Sequence, residues 1–395
     1  MSLLLTLNAG SSSIKFALFE PHGKTLERLA VGQVEGLGEI AHFSATTTAG
    51  ERCDQRIGGT DGPTDHLHAL QGVLDWLHSS FPNRNVTAVS HRVVHGGADH
   101  VEPILLDDGN FVELRKLIPL APLHQPHNLA GIEAARAAFP QAQQVACFDT
   151  SFHRSHPFVA DTFALPRQYY EQGIRRYGFH GLSYEFISHQ LKSRHPGLLA
   201  GRVIIAHLGN GASMCAMRDG RSVASTMGFT ALDGLPMGTR CGQIDPGVLL
   251  YLVSERGMDV QSLTDLLYRN SGLKGMSGLS HDMRVLLASE LPSAREAVDY
   301  FVEQCRRELG GLAASLGGLD ALVLTGGIGE HAAEVRSRLL CGMGWLGIDF
   351  DESANLAGAE EISLPRSPVR VLVLSTDEER MLAEHAAELT MTASS

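Results

Sequence analysis

The densest run of chemically useful residues is Met237-Gly238-Thr239-Arg240-Cys241-Gly242-Gln243-Ile244-Asp245-Pro246. Glycines on both sides of Arg240 let the chain pass close to a ligand, and a guanidinium offers a fixed fork of donors that matches a phosphate. A surface arginine in a glycine-rich turn has the same spelling, so the segment alone leaves both readings open. Arg92 follows the apolar run Val86–Ser90 and precedes Val93-Val94-His95-Gly96-Gly97. A lone arginine usually makes a structural ion pair, but the end of a buried strand tilts it toward a ligand carboxylate. Asp149 stands at another strand end, after Val145–Phe148, where an acid can serve chemistry or cap the next helix. In Tyr177-Gly178-Phe179-His180-Gly181 an imidazole lies among aromatics and glycines, where a packed, hydrogen-bonded histidine is the default.

Two further segments suit a nucleotide. Leu3–Leu7 and Ile14–Phe19 read as a hairpin with the small turn Ala9-Gly10-Ser11-Ser12-Ser13. Val203–Leu208 and Met214–Met217 repeat that plan around Gly209-Asn210-Gly211-Ala212-Ser213. Such turns bring backbone N–H groups within reach of an anion. Thr325-Gly326-Gly327-Ile328-Gly329-Glu330-His331 follows a strand and opens a helix, so a nucleobase or phosphate can approach the backbone there.

Spacing removes other chemistries. Gly23-Lys24-Thr25 has leucine at position 18, where a P-loop needs glycine, and Gly209-Asn210-Gly211 lacks the third glycine of a dinucleotide fingerprint. The 19 histidines form no H-E-x-x-H, and His91/His95 and His124/His127 stand without an adjoining Cys or carboxylate set, which argues against zinc. Ser12-Ser13-Ile14-Lys15 spells S-x-x-K, but the companion motifs of a serine hydrolase are absent.

The elements that must position these residues are buried strands at 86–90, 144–148, 321–325 and 369–374, besides the two hairpins. Helical patterns run over Thr64–His78, Asn128–Ala138, Tyr184–Ser193, Ser293–Leu316 and Glu378–Leu389. Strands alternating with helices define an α/β class, whose ligands gather at the carboxyl ends of strands, in one shared cleft. The polar, proline-containing stretch after Asp149 marks a boundary between two lobes, and Met391–Ser395 reads as a loose tail.

At 395 residues and 44% hydrophobic, the chain can bury two or three cores. Its net charge of -12 disfavours nucleic acid as a partner. No apolar run approaches the ~20 residues of a membrane span, the N-terminus lacks a basic secretory leader, and six scattered cysteines fit a reducing compartment, so a cytoplasmic protein is expected.

Leu5–Lys15, His91–Gly97, Phe148–His153, Arg176–Gly181, His207–Gly211 and Gly238–Pro246 together, in this order, resemble the signatures of the acetate kinase family over almost the whole chain. The resemblance implies a duplicated, two-lobed ribonuclease-H-like α/β fold of the actin and sugar kinase superfamily. It implies a carboxylate-side lobe of residues 1–149 plus 379–395 and a nucleotide-side, dimerising lobe of 150–378. The implied reaction is reversible, Mg²⁺-dependent transfer of a phosphoryl group from ATP to acetate, giving acetyl phosphate and ADP, with Mn²⁺ as an alternative metal. Carried over to this chain, Arg92 binds the carboxylate, with Val94, Leu123 and Phe179 around its methyl group; Arg240 holds the phosphoryl group and His180 stabilises the transition state. Asn8 and Glu378 help place the metal. Lys15, His207, Leu208, Gly209, Asn210, Gly211, Asp282, Met283, Arg284, Gly326, Gly327, Ile328, Gly329 and Glu330 match nucleotide-binding positions. Asp149 is the family's essential acid, and because a carboxylate acceptor is already ionised at pH 7, organising metal and arginine suits it better than proton abstraction.

Two departures bear on substrate. Ala231 stands where many family members have proline, leaving room for one more methylene, a group worth ~1–3 kcal/mol of discrimination. Acetate is expected first, propionate next. Cys241-Gly242-Gln243 replaces the commoner Ser-Gly-Asp, which puts any metal contact by that loop in question. The reading from a different class is a non-catalytic, actin-like ATP switch, which needs the glycine turns but neither Arg92, His180 nor Arg240. Family members are homodimers, and the same assembly is expected of this chain.

Overall fold

The structure, a computed structural model, describes residues 2–23, 25–57 and 64–391. It divides into two compact units: the chain up to Ser151 together with the segment from Asp377, and Phe152–Thr376. The crossings lie two residues from those expected, and the second matters because it places Glu378 in the same unit as Arg92.

The first unit contains β1 (Ser2–Ala9), β2 (Ser13–His22), β3 (Thr25–Glu35), β4 (Ala41–Thr47), β5 (Arg52–Ile57), β6 (Asn85–Val93), β7 (Ile104–Leu105) and β8 (Gln143–Phe148), in the order β5-β4-β3-β2-β1-β6-β8-β7. The second contains β9 (Arg202–Leu208), β10 (Ala212–Arg218), β11 (Arg221–Ser225), β12 (Ala321–Thr325) and β13 (Arg370–Val373), in the order β11-β10-β9-β12-β13. In the first, β1 runs antiparallel to β2 and parallel to β6, and β6 parallel to β8. In the second, β9 runs antiparallel to β10 and parallel to β12, and β12 parallel to β13. The cores β3-β2-β1-β6-β8 and β11-β10-β9-β12-β13 therefore share order and direction. The two glycine hairpins are corresponding parts of one duplicated α/β plan.

Strands at the centre of such sheets are covered on both faces, which is why they read as continuous apolar runs. Leu3, Leu5 and Leu7 pack with Phe16, Phe43 and Trp76, the last from the helix His66–Ser80. Val203, Ile205, Val323 and Leu372 pack with Tyr184, Ile187 and Leu191 of the helix Gly181–Arg194. Each such side chain contributes ~1.5–3 kcal/mol through burial. β4 shows the opposite pattern, with Ala41, Phe43, Ala45 and Thr47 buried and His42 exposed between them. Its alternation is that of a half-covered antiparallel strand, which no continuous apolar run marks in the sequence.

Several boundaries differ from expectation for local reasons. The first helix begins at His66 rather than Thr64 because the Asp65 carboxylate caps it, accepting from the His68 N–H at 2.9 Å. The next starts earlier, at Gln125, with Pro126 in its first turn. β6 continues to Val93, so Arg92 lies in the strand rather than beyond it. Met391, expected in a tail, closes the helix Glu378–Met391; residues 392–395 lie outside the described residues. No helix among the described residues is long and apolar enough to cross a membrane.

Candidate functional site

In each unit the parallel strands end together, and the residues singled out above collect at those ends. In the first unit β6 delivers Arg92 and β8 delivers Asp149, one residue past its last. The Arg92 guanidinium donates from Nε to Asp149 Oδ1 at 2.9 Å and from Nη2 to Oδ2 at 2.8 Å. Its Nη1 lies 2.9 Å from Glu378 Oε2, presented by the first turn of the closing helix. Arg92 thus makes the ion pair that its bland reading expects, but with two carboxylates, leaving a local charge of about −1 from ordinary protonation. Burial works against the charged guanidinium, yet Asp149 and Glu378 outweigh it and hold the Arg92 pKa above its ordinary value. Asp149, itself buried, gives both carboxylate oxygens to Arg92.

Asn8, half-buried on β1, faces the exposed Lys15 on β2 in the antiparallel register. Val94 and Leu123 are half-buried in this unit, and Phe179 is buried in the other. Sequence reasoning missed the residue that holds several of these ends. Asn128, buried on the helix Gln125–Ala138, accepts from the Val94 N–H at 3.0 Å and donates to the Ala9 carbonyl at 2.7 Å, tying β6 to β1. Gln125, on the same buried face three residues earlier, likewise brackets the His95 backbone. Polar residues at helical spacing inside an otherwise apolar face were the available signal.

In the second unit His180 takes a left-handed backbone conformation, φ 59°, just ahead of the helix Gly181–Arg194. Such a conformation costs a non-glycine residue about 1–2 kcal/mol. Its ring stacks on His207, centroids 4.4 Å apart, and its Nδ1 lies 2.8 Å from Ser213 Oγ. A Cβ at Gly211 would come within 3.1 Å of His180 Nε2, so glycine there lets the imidazole lie against the turn. β9 and β12 pair with His207 opposite Thr325, which sets the two glycine segments side by side. At Gly326, φ 77°, a Cβ would stand 2.8 Å from the Leu208 carbonyl oxygen, leaving no room for a side chain. Glu330 Oε1 accepts from the Gly326 N–H at 2.9 Å.

The Arg240 loop joins the same cluster. The Gly238 N–H donates to the Asn210 carbonyl at 3.0 Å, and Arg240 Nη1 donates to the Ala231 carbonyl at 2.9 Å. His281 packs against Gly238. Beyond it, Asp282 accepts from the Arg284 N–H at 2.9 Å and pairs with its exposed guanidinium. The side-chain and backbone hydrogen bonds from Arg284 hold the Asp282 pKa down to about 2. Leu208 and Met283 are buried, so at those positions only the backbone is available to a ligand of the kind expected. A cavity of about 650 Å³ in this unit is bordered by Arg176 and Gln243, from two of the segments above, together with Asp233 and Glu308, but not by His180, His207 or Arg240.

Comparisons with known proteins bear on the whole chain. A model of the acetokinase family matches residues 3–384. An acetate kinase of Methylocella silvestris is 57% identical over 394 residues, 98% of this chain and 97% of its own. Among solved structures, a propionate kinase from Francisella tularensis is similar with a TM-score of 0.91 at 34% identity, covering 98% of this chain and 100% of its own. The acetate kinase of Porphyromonas gingivalis is similar with a TM-score of 0.87 at 35% identity, covering 100% of each chain.

Proposed function

Because the chain belongs to the acetokinase family, a family of kinases with this duplicated α/β fold, we propose that it transfers the terminal phosphoryl group of ATP to acetate, reversibly, giving acetyl phosphate and ADP. The observation that carries the reading is the gathering of Arg92, Asp149 and Glu378 at one set of strand ends and of His180, Arg240 and two glycine-rich segments in the other unit. An acetate oxygen attacks phosphorus as the bond to the β-phosphate oxygen breaks, and no proton has to leave the acceptor. Arg240 and His180 offer donors to the charge spread over the moving group, in a setting fixed beforehand by the Asn210 and Ser213 contacts. Arg92 has five N–H bonds, of which Asp149 and Glu378 engage three, leaving one on each terminal nitrogen for the acetate carboxylate.

Asp149 and Glu378 offer oxygen donors with excess negative charge, which suit a hard divalent cation, and the Asn8 amide oxygen is the further donor in this reading. Mg²⁺ held there supplies charge neutralisation for the phosphates; Mn²⁺ fits the same donors. The carboxylate of Glu330 already occupies the Gly326 N–H, so the Gly326–Glu330 turn suits the uncharged base or ribose of ATP, and the phosphates belong with the His207–Gly211 turn.

An ADP-release assay with Mg²⁺ and acetate, propionate or butyrate tests the assignment. Acetate is expected to give the highest kcat/KM and butyrate the lowest. ATP binding without ADP release on any carboxylate would instead favour the ATP switch. Ala231 carries the carbonyl that receives Arg240, so Ala231→Pro is expected to raise the acetate-to-propionate preference, by up to about 10-fold for one methylene.

The helix Pro246–Ser254 supports a homodimer. It carries Val248, Leu250, Tyr251 and Val253, buries none of its residues within the chain, and leaves Leu250 71% exposed. A cytoplasmic location accords with the cysteines, none of which forms a disulfide.

A further inference from the structure

We infer that Tyr184 and Ser213 form a one-way hydrogen-bond relay that keeps His180 as the neutral tautomer with its proton on Nε2, so that the imidazole meets the phosphoryl group as a donor. The inference rests on the proposed phosphoryl-transfer reading of His180. Tyr184 lies four residues after His180, on the same side of the helix start, and Ser213 is the second residue of β10; both are fully buried. The Tyr184 hydroxyl hydrogen-bonds to Ser213 Oγ, and Ser213 Oγ lies 2.8 Å from His180 Nδ1.

The direction follows from counting hydrogens. Among the described residues Ser213 is the one hydrogen-bond partner of the Tyr184 hydroxyl, so a buried phenol can place its hydrogen only on Ser213 Oγ. Ser213 must then place its own on Nδ1. Nδ1 is an acceptor, and the ring proton resides on Nε2. The opposite order, Nδ1–H to Ser213 and Ser213 to Tyr184, would strand the phenolic hydrogen away from water. An imidazolium, donating from Nδ1 to Ser213 Oγ, leaves one buried hydroxyl hydrogen, that of Ser213 or of Tyr184, without an acceptor in this cluster.

The surroundings support a fixed donor. Burial, with Cys215 nearby, pushes the Tyr184 pKa well above the usual phenol range, so it keeps its hydrogen. Burial pushes the Cys215 thiol up to about 12. Burial, reinforced by His156, holds His153, edge-on to the Tyr184 ring at 5.6 Å, well below the usual histidine range. His207 stacks on His180 and directs its own Nδ1 to Ser183 Oγ at 2.8 Å. Tyr184 and Ser213 are thus positioning residues: they act on His180 and not on the substrate.

The test is nitrogen NMR of the intact enzyme labelled at histidine, with the His180 signals assigned by their loss in His180→Gln. At neutral pH, His180 Nδ1 should resonate as an unprotonated acceptor and Nε2 as a protonated donor. Tyr184→Phe should give mixed tautomers and raise the pH at which the imidazolium appears. It should lower kcat about 10-fold, the scale for misaligning one donor, while the KM values for ATP and acetate stay within a factor of two. Ser213→Thr, which keeps the hydroxyl, should restore the wild-type pattern where Ser213→Ala does not. A proton on Nδ1 in the unsubstituted enzyme, or an unchanged tautomer in Tyr184→Phe, would overturn the relay. The NMR result stands apart from turnover: an Nε2–H ring in a protein that phosphorylates no carboxylate would refute the functional reading and leave the relay intact.

Discussion

Arg92 and Arg240 look alike as residues, but their surroundings predict different consequences of removal. Arg92 sits between two largely buried carboxylates, so Arg92→Ala removes the guanidinium that Asp149 and Glu378 share. Losing one partner of such a pair costs about 3–5 kcal/mol, and thermal melting should show a clear drop alongside a raised KM for acetate. Arg92→Lys restores charge but not the planar fork, so it should recover more stability than acetate affinity; wild-type acetate affinity in that variant would remove Arg92 from the carboxylate site. Arg240 lies half-buried in a glycine loop with its Nη1 on a backbone carbonyl. Arg240→Ala should melt close to wild type and lose about 10²–10³ in turnover, measured by hydroxamate trapping of the acyl phosphate. Near-normal trapping would exclude it from the transition state.

At the scale of elements, the ends of strands must be held before their residues can act. Asn128 bridges the ends of β1 and β6, and Asn128→Ala would leave the Val94 N–H and the Ala9 carbonyl without their partner. The expected cost is about 1–3 kcal/mol for each unsatisfied group, with a raised KM for acetate because Val94 borders the proposed methyl pocket. Unchanged denaturant midpoints would show that the bridge is dispensable. β6 also carries a pH dependence. Burial, only partly opposed by the hydrogen bond to Gln144, lowers the His91 pKa to about 4. The unfolded chain takes up this proton near pH 6.5 and the folded one does not, so stability is fully present above pH 6.5 and declines as the pH falls toward 4. The loss approaches about 3 kcal/mol, and unfolding curves of His91→Gln should be flatter across that window than those of the wild type.

The whole molecule is a duplicated sheet plan with one conspicuously apolar helix on its surface. A charge at the centre of that helix tests the homodimer: Leu250→Glu should shift sedimentation from dimer to monomer with the fold intact. A wild-type protein that sediments as a monomer would exclude this use of the helix. Strands in corresponding positions, β1 with β9 and β6 with β12, end in turns that either present side chains or, by using glycine, withhold them.

The sequence by itself determined the α/β class, the central strands and the identity of the chemically useful residues. Apolar runs report two-sided burial, and glycine turns with arginine or histidine report close approach to charge, both of which are local properties. It could not decide what each side chain does once folded. Only the tertiary structure set Asp149 on Arg92, brought Glu378 from the far end of the chain to the same guanidinium, and placed Asn128 and the Tyr184–Ser213 pair behind the strand ends. These contacts join residues tens to hundreds of positions apart, through pairings whose register is chosen by the packing of whole faces, and no local pattern encodes them.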